Sequence, residues 1–335
     1  MDSNKINVNR VINYNKIRYS RLLVLINTQY SGSNADTINL YIDLYSIFKP
    51  LYSSNVYIDD YLELTSSIIN LCGYYRFFFR KNYNVHTRIY LVYSSNIPSG
   101  NIMIYPEYNK KTISTISTTN HMIQYISNTL DLLTTICPYI PDIQFCMDYA
   151  ETGVIIEYIK SFQVNYIPNI VLSRDAYNYQ LVDDNTIILR PHKTVSSQSG
   201  LIDESIIINR YNAIKEYCKV NGVLLADDNI SIDGSYLPVF MAISRCPQRN
   251  IKSINKIPKA LSMLQDADLI NIVRTDRVLA TRYYVCDIKQ QLSSYKVSAY
   301  RNITNGDIEN LYNKEEIQNL NNKYFSKYPL ELESL

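Results

Sequence analysis

Apolar and polar positions along this chain keep two rhythms. Short, nearly continuous apolar runs bounded by turn residues fall at Arg21–Ile26 (RLLVLI), Arg88–Tyr93 (RIYLVY), Ile143–Phe145, Asn169–Leu172 and Thr186–Arg190. Runs of this length and continuity predict central strands of a parallel sheet, buried on both faces. Apolar positions at helical spacing cover Thr37–Lys49, Asp60–Arg80 and Thr118–Cys137. The last is opened by threonines suited to capping and broken before Pro138. Asn169–Pro191 is the stretch around which the rest is arranged. It reads as a strand, a polar turn, a short helix ending in Gln180, Leu181 and Val182, a turn of Asp183, Asp184 and Asn185, and a second strand closed by Pro191. Loops after the carboxyl ends of strands are where α/β sheets hold ligands, so Ser173, Arg174 and Asp175 form a candidate site edge.

Strands alternating with helices imply an α/β fold with a mostly parallel central sheet flanked by helices. Residues 1–19 read as a polar lead-in, 20–245 as the α/β body and 246–335 as a helical region. In the helical region Ala267–Val273 and Tyr283–Leu292 look helical or mixed, and Asp307–Tyr312 and Lys314–Phe325 complete the helical part. The aromatic segment Tyr74–Phe79 (YYRFFF) has two readings, a stacking platform for bases or core, and helical spacing favours core. No apolar run reaches the roughly 18 residues of a membrane span, and the first residues lack a signal-peptide core. The expectation is a protein that is not secreted and has no membrane partner.

Composition narrows this only in places. With 335 residues, 46% of them apolar, the chain can bury a large core. Its 33 basic and 31 acidic residues leave a net charge of +2, too little to mark a nucleic-acid binder by charge alone, so any basic surface must be local. Six scattered cysteines without a CxxC pair, beside only three histidines, argue against a zinc site and a disulfide framework. They predict reduced, mostly buried thiols in a cytosol-like compartment. Thirty-two tyrosines with eight glycines and no tryptophan suggest an AT-rich genome, such as those of large DNA viruses, phages and some parasites.

A strand, then Ser173-Arg174-Asp175-Ala176-Tyr177, then Gln180-Leu181 and a second strand resembles the core of the flap-endonuclease and 5'-3' exonuclease family, a PIN-like 5'-nuclease fold. Three other segments follow the same pattern in order. Tyr105-Pro106-Glu107-Tyr108-Asn109-Lys110 resembles a Tyr-Pro-x-Tyr-Lys element. Residues 141–162 resemble a strand, an acidic helix start and an amphipathic helix. Residues 237–261 resemble a metal-binding segment that opens a helix-turn-helix clamp on duplex DNA. The family's acidic metal-ligand positions fall on Asn27, Ser94, Ala150, Thr152, Gly153, Asp175, Tyr177, Cys246 and Arg249, so one carboxylate survives. Glu151 takes a family alanine position and is expected to point elsewhere. The clamp's turn glycines, which let backbone N–H groups approach a phosphate, are absent, and Lys252, Ser253, Asn255 and Lys256 stand there instead.

Two divalent metals need several oxygen anions close together. The resemblance with its degenerate positions therefore implies an emptied site with no metal or other cofactor, in which Arg249 or Arg174 pairs with Asp175, or Asp175 caps the helix that follows. Lys110, Lys111, Lys252, Lys256 and Lys259 are the candidates for weak phosphate contacts, against a reading as ordinary surface charge. Three functions stay open. The first is an inactive 5'-nuclease homologue, of viral or phage type, that binds nucleic acid or docks in a replication, repair or transcription assembly. The second is a structural or virion protein that keeps only the fold. The third is an active nuclease whose ligands come from Asp148, Glu151, Asp183, Asp184, Asp227 or Asp228. In none of them is a small molecule the substrate. The location expected is the cytoplasm, the host's for a viral protein, or the virion.

Overall fold

The computed structural model describes residues 37–53, 61–94, 99–108, 120–163, 167–192, 204–223, 225, 232–266 and 268–294. Six strands form one sheet: β1 Thr37–Asp43, β2 His86–Ser94, β3 Ile143–Asp148, β4 Asn169–Leu172, β5 Thr186–His192 and β6 Glu204–Ile208, in the spatial order β3-β2-β1-β4-β5-β6. All neighbours pair in parallel except β5 and β6, which are antiparallel. The mostly parallel sheet and the flanking helices match the fold class read from the pattern, and β2 to β5 cover the predicted apolar runs.

Leu22–Ile26 lies outside the described residues, and the strand between β2 and β4 is Thr37–Asp43, read above as the start of a helix. Ile38, Leu40 and Ile42 alternate toward one face while Tyr41 is buried on the other, which is the period of a central strand. The helix α1, Leu44–Ser53, follows at once.

Each sheet face carries its own apolar layer. Ile38, Leu40, Ile42, Ile89, Leu91, Ile170, Leu172, Ile187 and Leu189 pack against α1, α2 (Tyr61–Tyr83) and α4 (Asn120–Ile136). Between the last two lies the short α3 (Ser99–Ile104). The aromatic segment of α2 is core: Tyr75, Phe78 and Phe79 are buried and Phe78 meets Phe79 edge-on at 5.1 Å. On the opposite face Tyr41, Tyr90, Val92, Val171 and Ile188 pack under α5 (Thr152–Ser161), α6 (Ala213–Val220) and α7 (Leu237–Ile243). That layer continues without a break into α8 (Ile257–Met263), α9 (Leu269–Thr275), α10 (Arg277–Cys286) and α11 (Ile288–Ser294). Asp307–Tyr312 and Lys314–Phe325 lie outside the described residues.

All six cysteines are buried and none is in a disulfide. Among the described residues no helix is long and apolar enough to cross a membrane.

Candidate functional site

Parallel pairing of β1 with β4, Ile42 opposite Leu172, brings Asp43 and Ser173 side by side at the carboxyl edge of the sheet. One Asp43 oxygen, Oδ2, accepts from Ser46 Oγ and Ser173 Oγ, each at 2.7 Å, and from Asn178 Nδ2 at 3.5 Å. Its other oxygen has no hydrogen-bond partner among the described residues, and the residue is 1% exposed. Burial pushes its pKa from the ordinary 3.8 up to about 6, against the two hydroxyls, which lower it, and with the Asp175 charge, which raises it.

The folded protein therefore holds this proton more tightly than the unfolded chain. The resulting stability is complete below about pH 4 and is lost as pH rises through about 6. That rise in pKa corresponds to about 3 kcal/mol. Asp43→Asn should lack this term, so urea unfolding at pH 4 and pH 7.5 should show the variant gaining about 2–3 kcal/mol on wild type across that interval. Parallel pH profiles for the two proteins would contradict this assignment.

Beside Asp43 stands a second, larger cluster. Glu151 occupies the N-cap position of α5 and is buried. Arg249 grips it with two parallel hydrogen bonds, Nε to Oε1 at 3.0 Å and Nη2 to Oε2 at 2.7 Å, and the same Nη2 reaches Asp175 Oδ2 at 2.8 Å. The fork of a guanidinium fits a carboxylate in this way. Tyr108 Oη donates to Glu151 Oε1 at 2.6 Å, and the guanidinium carbon lies 4.2 Å from the centre of the Tyr177 ring. Asp175 Oδ1 meanwhile accepts from Tyr177 N at 3.0 Å and caps the 3₁₀ turn Ala176–Leu181. One carboxylate thus serves as both cap and ion-pair partner. Burial works against the Arg249 charge, but Asp175 and Glu151 outweigh it and hold its pKa well above the ordinary arginine range. Tyr108 and Tyr177, raised by burial and then by Glu151, stay neutral phenols.

Local backbone fixes these groups. Cys246 and Ile251 exchange hydrogen bonds of 3.1 and 2.9 Å across a tight turn, with Asn250 in the left-handed region at φ 57°. Asparagine tolerates that conformation, and its Nδ2 donates to the Glu107 carbonyl at 2.9 Å, tying the Arg249 turn to the Tyr105–Tyr108 segment. Arg282 is buried and donates to the carbonyls of Ala242, Ser244 and Lys252 at 2.7, 3.1 and 2.7 Å. It joins the end of α7 to the segment leaving the turn. Tyr177 is held in place through Oη, which donates to Val285 O at 3.0 Å and accepts from Gln291 Nε2 at 2.7 Å.

The remaining predicted positions are distributed unevenly. Asn27, Lys110 and Lys111 lie outside the described residues. Ser94 ends β2 opposite Asp148. Ala150 and Thr152 are buried beside Glu151. Gly153 is closely packed: a Cβ there would lie 2.2 Å from Ile288 Cδ1 and 2.8 Å from Asn178 Oδ1, so a side chain has to displace these neighbours. Cys246 is a buried thiol, pushed up to about 11 by burial. Lys252, Lys256 and Lys259 are exposed, the first two between the Arg249 turn and α8 and the third on α8 itself. Arg174 donates its backbone N–H to Ser46 Oγ at 2.8 Å, and it is Arg249 that pairs with Asp175.

One expectation needs correction, and one residue is new to the site. Glu151 points into the site rather than away, because a buried Arg249 between two carboxylates gives it a partner. Asp43, which the sequence reading did not single out, stands at a strand end in the site. Its signal was the alternation of Ile38, Leu40 and Ile42 ending in an acid.

These residues do not fit a pair of divalent cations. Both Glu151 oxygens and one of Asp175 are already bound to a guanidinium, Tyr177 presents a ring, and Gly153 has no space for a ligand. Among the described residues no three His, Cys, Asp or Glu side chains are placed to share a metal.

No family model and no curated protein matches this chain. Solved structures do. The flap endonuclease of bacteriophage T5, in a pseudo-enzyme–product complex with DNA and metal ions, superposes with a TM-score of 0.52 at 10% identity, covering 84% of this chain and 98% of that one. The T5 protein co-crystallised with metal ions gives 0.52 at 11% identity over 84% of this chain and 99% of that one. The T5 5'-exonuclease with bound zinc gives 0.50 at 11% identity, covering 85% and 98%. The chain has the flap-endonuclease and 5'-3' exonuclease fold.

Proposed function

We propose that this protein is a catalytically silent form of the 5'-nuclease fold, which binds nucleic acid through phosphates or docks in a nucleic-acid-processing assembly. The observation that carries this reading is Arg249. Its guanidinium lies between Glu151 and Asp175, so a fixed positive charge stands beside the carboxylates that metals would need. Metal-assisted phosphodiester hydrolysis requires cations to activate water and to offset developing charge. A buried arginine repels them at close range.

Binding rests on the exposed Lys252, Lys256 and Lys259, which fit phosphate contacts that are weak, salt-sensitive and indifferent to sequence. The fold's T5 relative is known in complex with DNA, which supports DNA as the ligand to try first. A relic DNA-clamping helix-turn-helix within the helical region 246–335 belongs to the same proposal, as do the division at residue 245 and a viral or phage source.

The test uses flap, nicked and single-stranded DNA with Mg²⁺ or Mn²⁺. All three should survive, while fluorescence anisotropy should show binding that weakens steeply with salt. Changing the three lysines to glutamate should reduce affinity by roughly tenfold or more and flatten the logarithmic salt slope by about 0.9 per lost phosphate contact. Cleavage that disappears on Asp175→Ala would replace this reading with an active enzyme using Asp43, Glu151 and Asp175. Undiminished binding by the lysine variant would remove the phosphate site.

A further inference from the structure

The sheet edge opposite the Arg249 site carries a different surface. The Asp183–Asn185 turn feeds the amino end of β5, and β6 runs antiparallel to β5, so Arg210 just beyond β6 reaches the same edge. Helix α5 starts at Glu151 in the site and delivers Phe162 to this far edge. Gly234 N donates to Arg210 O at 2.6 Å and brings the turn Asp233–Tyr236 alongside.

Ion pairs stitch these pieces together. Lys160 Nζ binds Glu157 and Asp183 at 2.7 and 3.0 Å, and Arg210 binds Asp184 and Asp233 at 2.7 and 2.5 Å. Among the described residues these pairs set four carboxylates against two cations. Next to its members stand three exposed aromatics: Phe162 at 72%, Tyr211 at 68% and Tyr236 at 38% exposure. Their backbones are fixed. Phe162 packs edge-on against Tyr158 at 4.8 Å, and Tyr236 sits in a turn capped by Asp233, whose Oδ1 accepts from Ser235 N at 2.8 Å. Rigid rings lose little entropy when they are covered, as binding surfaces require.

We propose that this edge is a docking surface for an arginine-rich segment of a protein partner. Guanidinium groups stack on exposed phenyl and phenol faces and pair with carboxylates, and this surface offers both while its excess negative charge repels a phosphate backbone. The inference is independent of the nuclease-fold reading, because no residue of the Arg249 site takes part.

A fluorescein-labelled peptide of alternating arginine and serine, titrated against the full chain by anisotropy, tests it. Wild type should bind with an affinity that falls with salt. The triple variant Phe162→Ser, Tyr211→Ser, Tyr236→Ser should bind at least tenfold more weakly with an unchanged unfolding temperature, and Asp184→Lys should weaken binding several-fold at low salt. The Lys252, Lys256 and Lys259 glutamate variant should bind as wild type does. Equal binding by wild type and both edge variants, or no binding by wild type, overturns the proposal.

Discussion

Arg249→Met should cost about 3–5 kcal/mol of stability, because it leaves Glu151 and Asp175 buried without their cation. For a chain of this size that corresponds to a fall in the unfolding midpoint of roughly 4–7 °C. The cost arises from the carboxylates left behind more than from the lost bonds. Glu151 keeps only the Tyr108 hydroxyl, and Asp175 keeps the Tyr177 amide as its cap. Adding Glu151→Gln and Asp175→Asn to Arg249→Met should therefore recover part of the loss, whereas independent sites would add their costs. A loss below about 1 kcal/mol would mean that the triad does not hold the fold together.

How much of this was legible beforehand depended on how local each signal was. Strands β2 to β5 are short apolar runs between turn residues, and helices α2 and α4 are long and regular, so each carries its own evidence. Strand β1 was misread because Leu44, Ile47 and Phe48 continue its apolar residues at helical spacing with no turn between. The polar Asn39 inside it is buried and bound by its Nδ2 to Asn169 Oδ1 at 3.0 Å, an arrangement only the neighbouring strand reveals. Strand β6 is a five-residue edge segment and was not foreseen.

The site shows the same division. Asp175 was visible as an acid directly after a buried strand, and its pairing with Arg249 followed from opposite charges at two positions of the resemblance. Glu151 was hidden because its partner lies 98 residues away and no local periodicity points from one to the other. The register that put Glu151 in an alanine position turned its side chain away from the site, whereas Arg249 draws it in. Asp43 was hidden for another reason, since the resemblance had assigned its place to Asn27.

Gly153→Asp separates loss of a metal ligand from loss of the space for one. The resemblance puts an acid at this position, so restoring it looks like a repair, yet the surroundings have closed over the site. A Cβ at Gly153 would stand 2.2 Å from Ile288 Cδ1 and 3.2 Å from Ile288 Cγ1, and 2.8 Å from Asn178 Oδ1, itself a buried oxygen without a hydrogen-bond partner. The Ile288 methyl can turn aside, so Gly153→Ala should cost only about 1–2 kcal/mol, reduced by the better helix propensity of alanine. An aspartate would add a carboxylate beside an acceptor oxygen, in a place with no cation to answer it. The expected cost is about 4 kcal/mol or more, from overpacking together with an unpaired buried charge. Combining Gly153→Asp with Ile288→Ala should return the steric share and leave the electrostatic one. Calorimetry with Mn²⁺ should show no tight binding in Gly153→Asp, because Arg249 still holds Glu151 and Asp175. Tight binding with unchanged stability would mean that the site had kept room for its ligand.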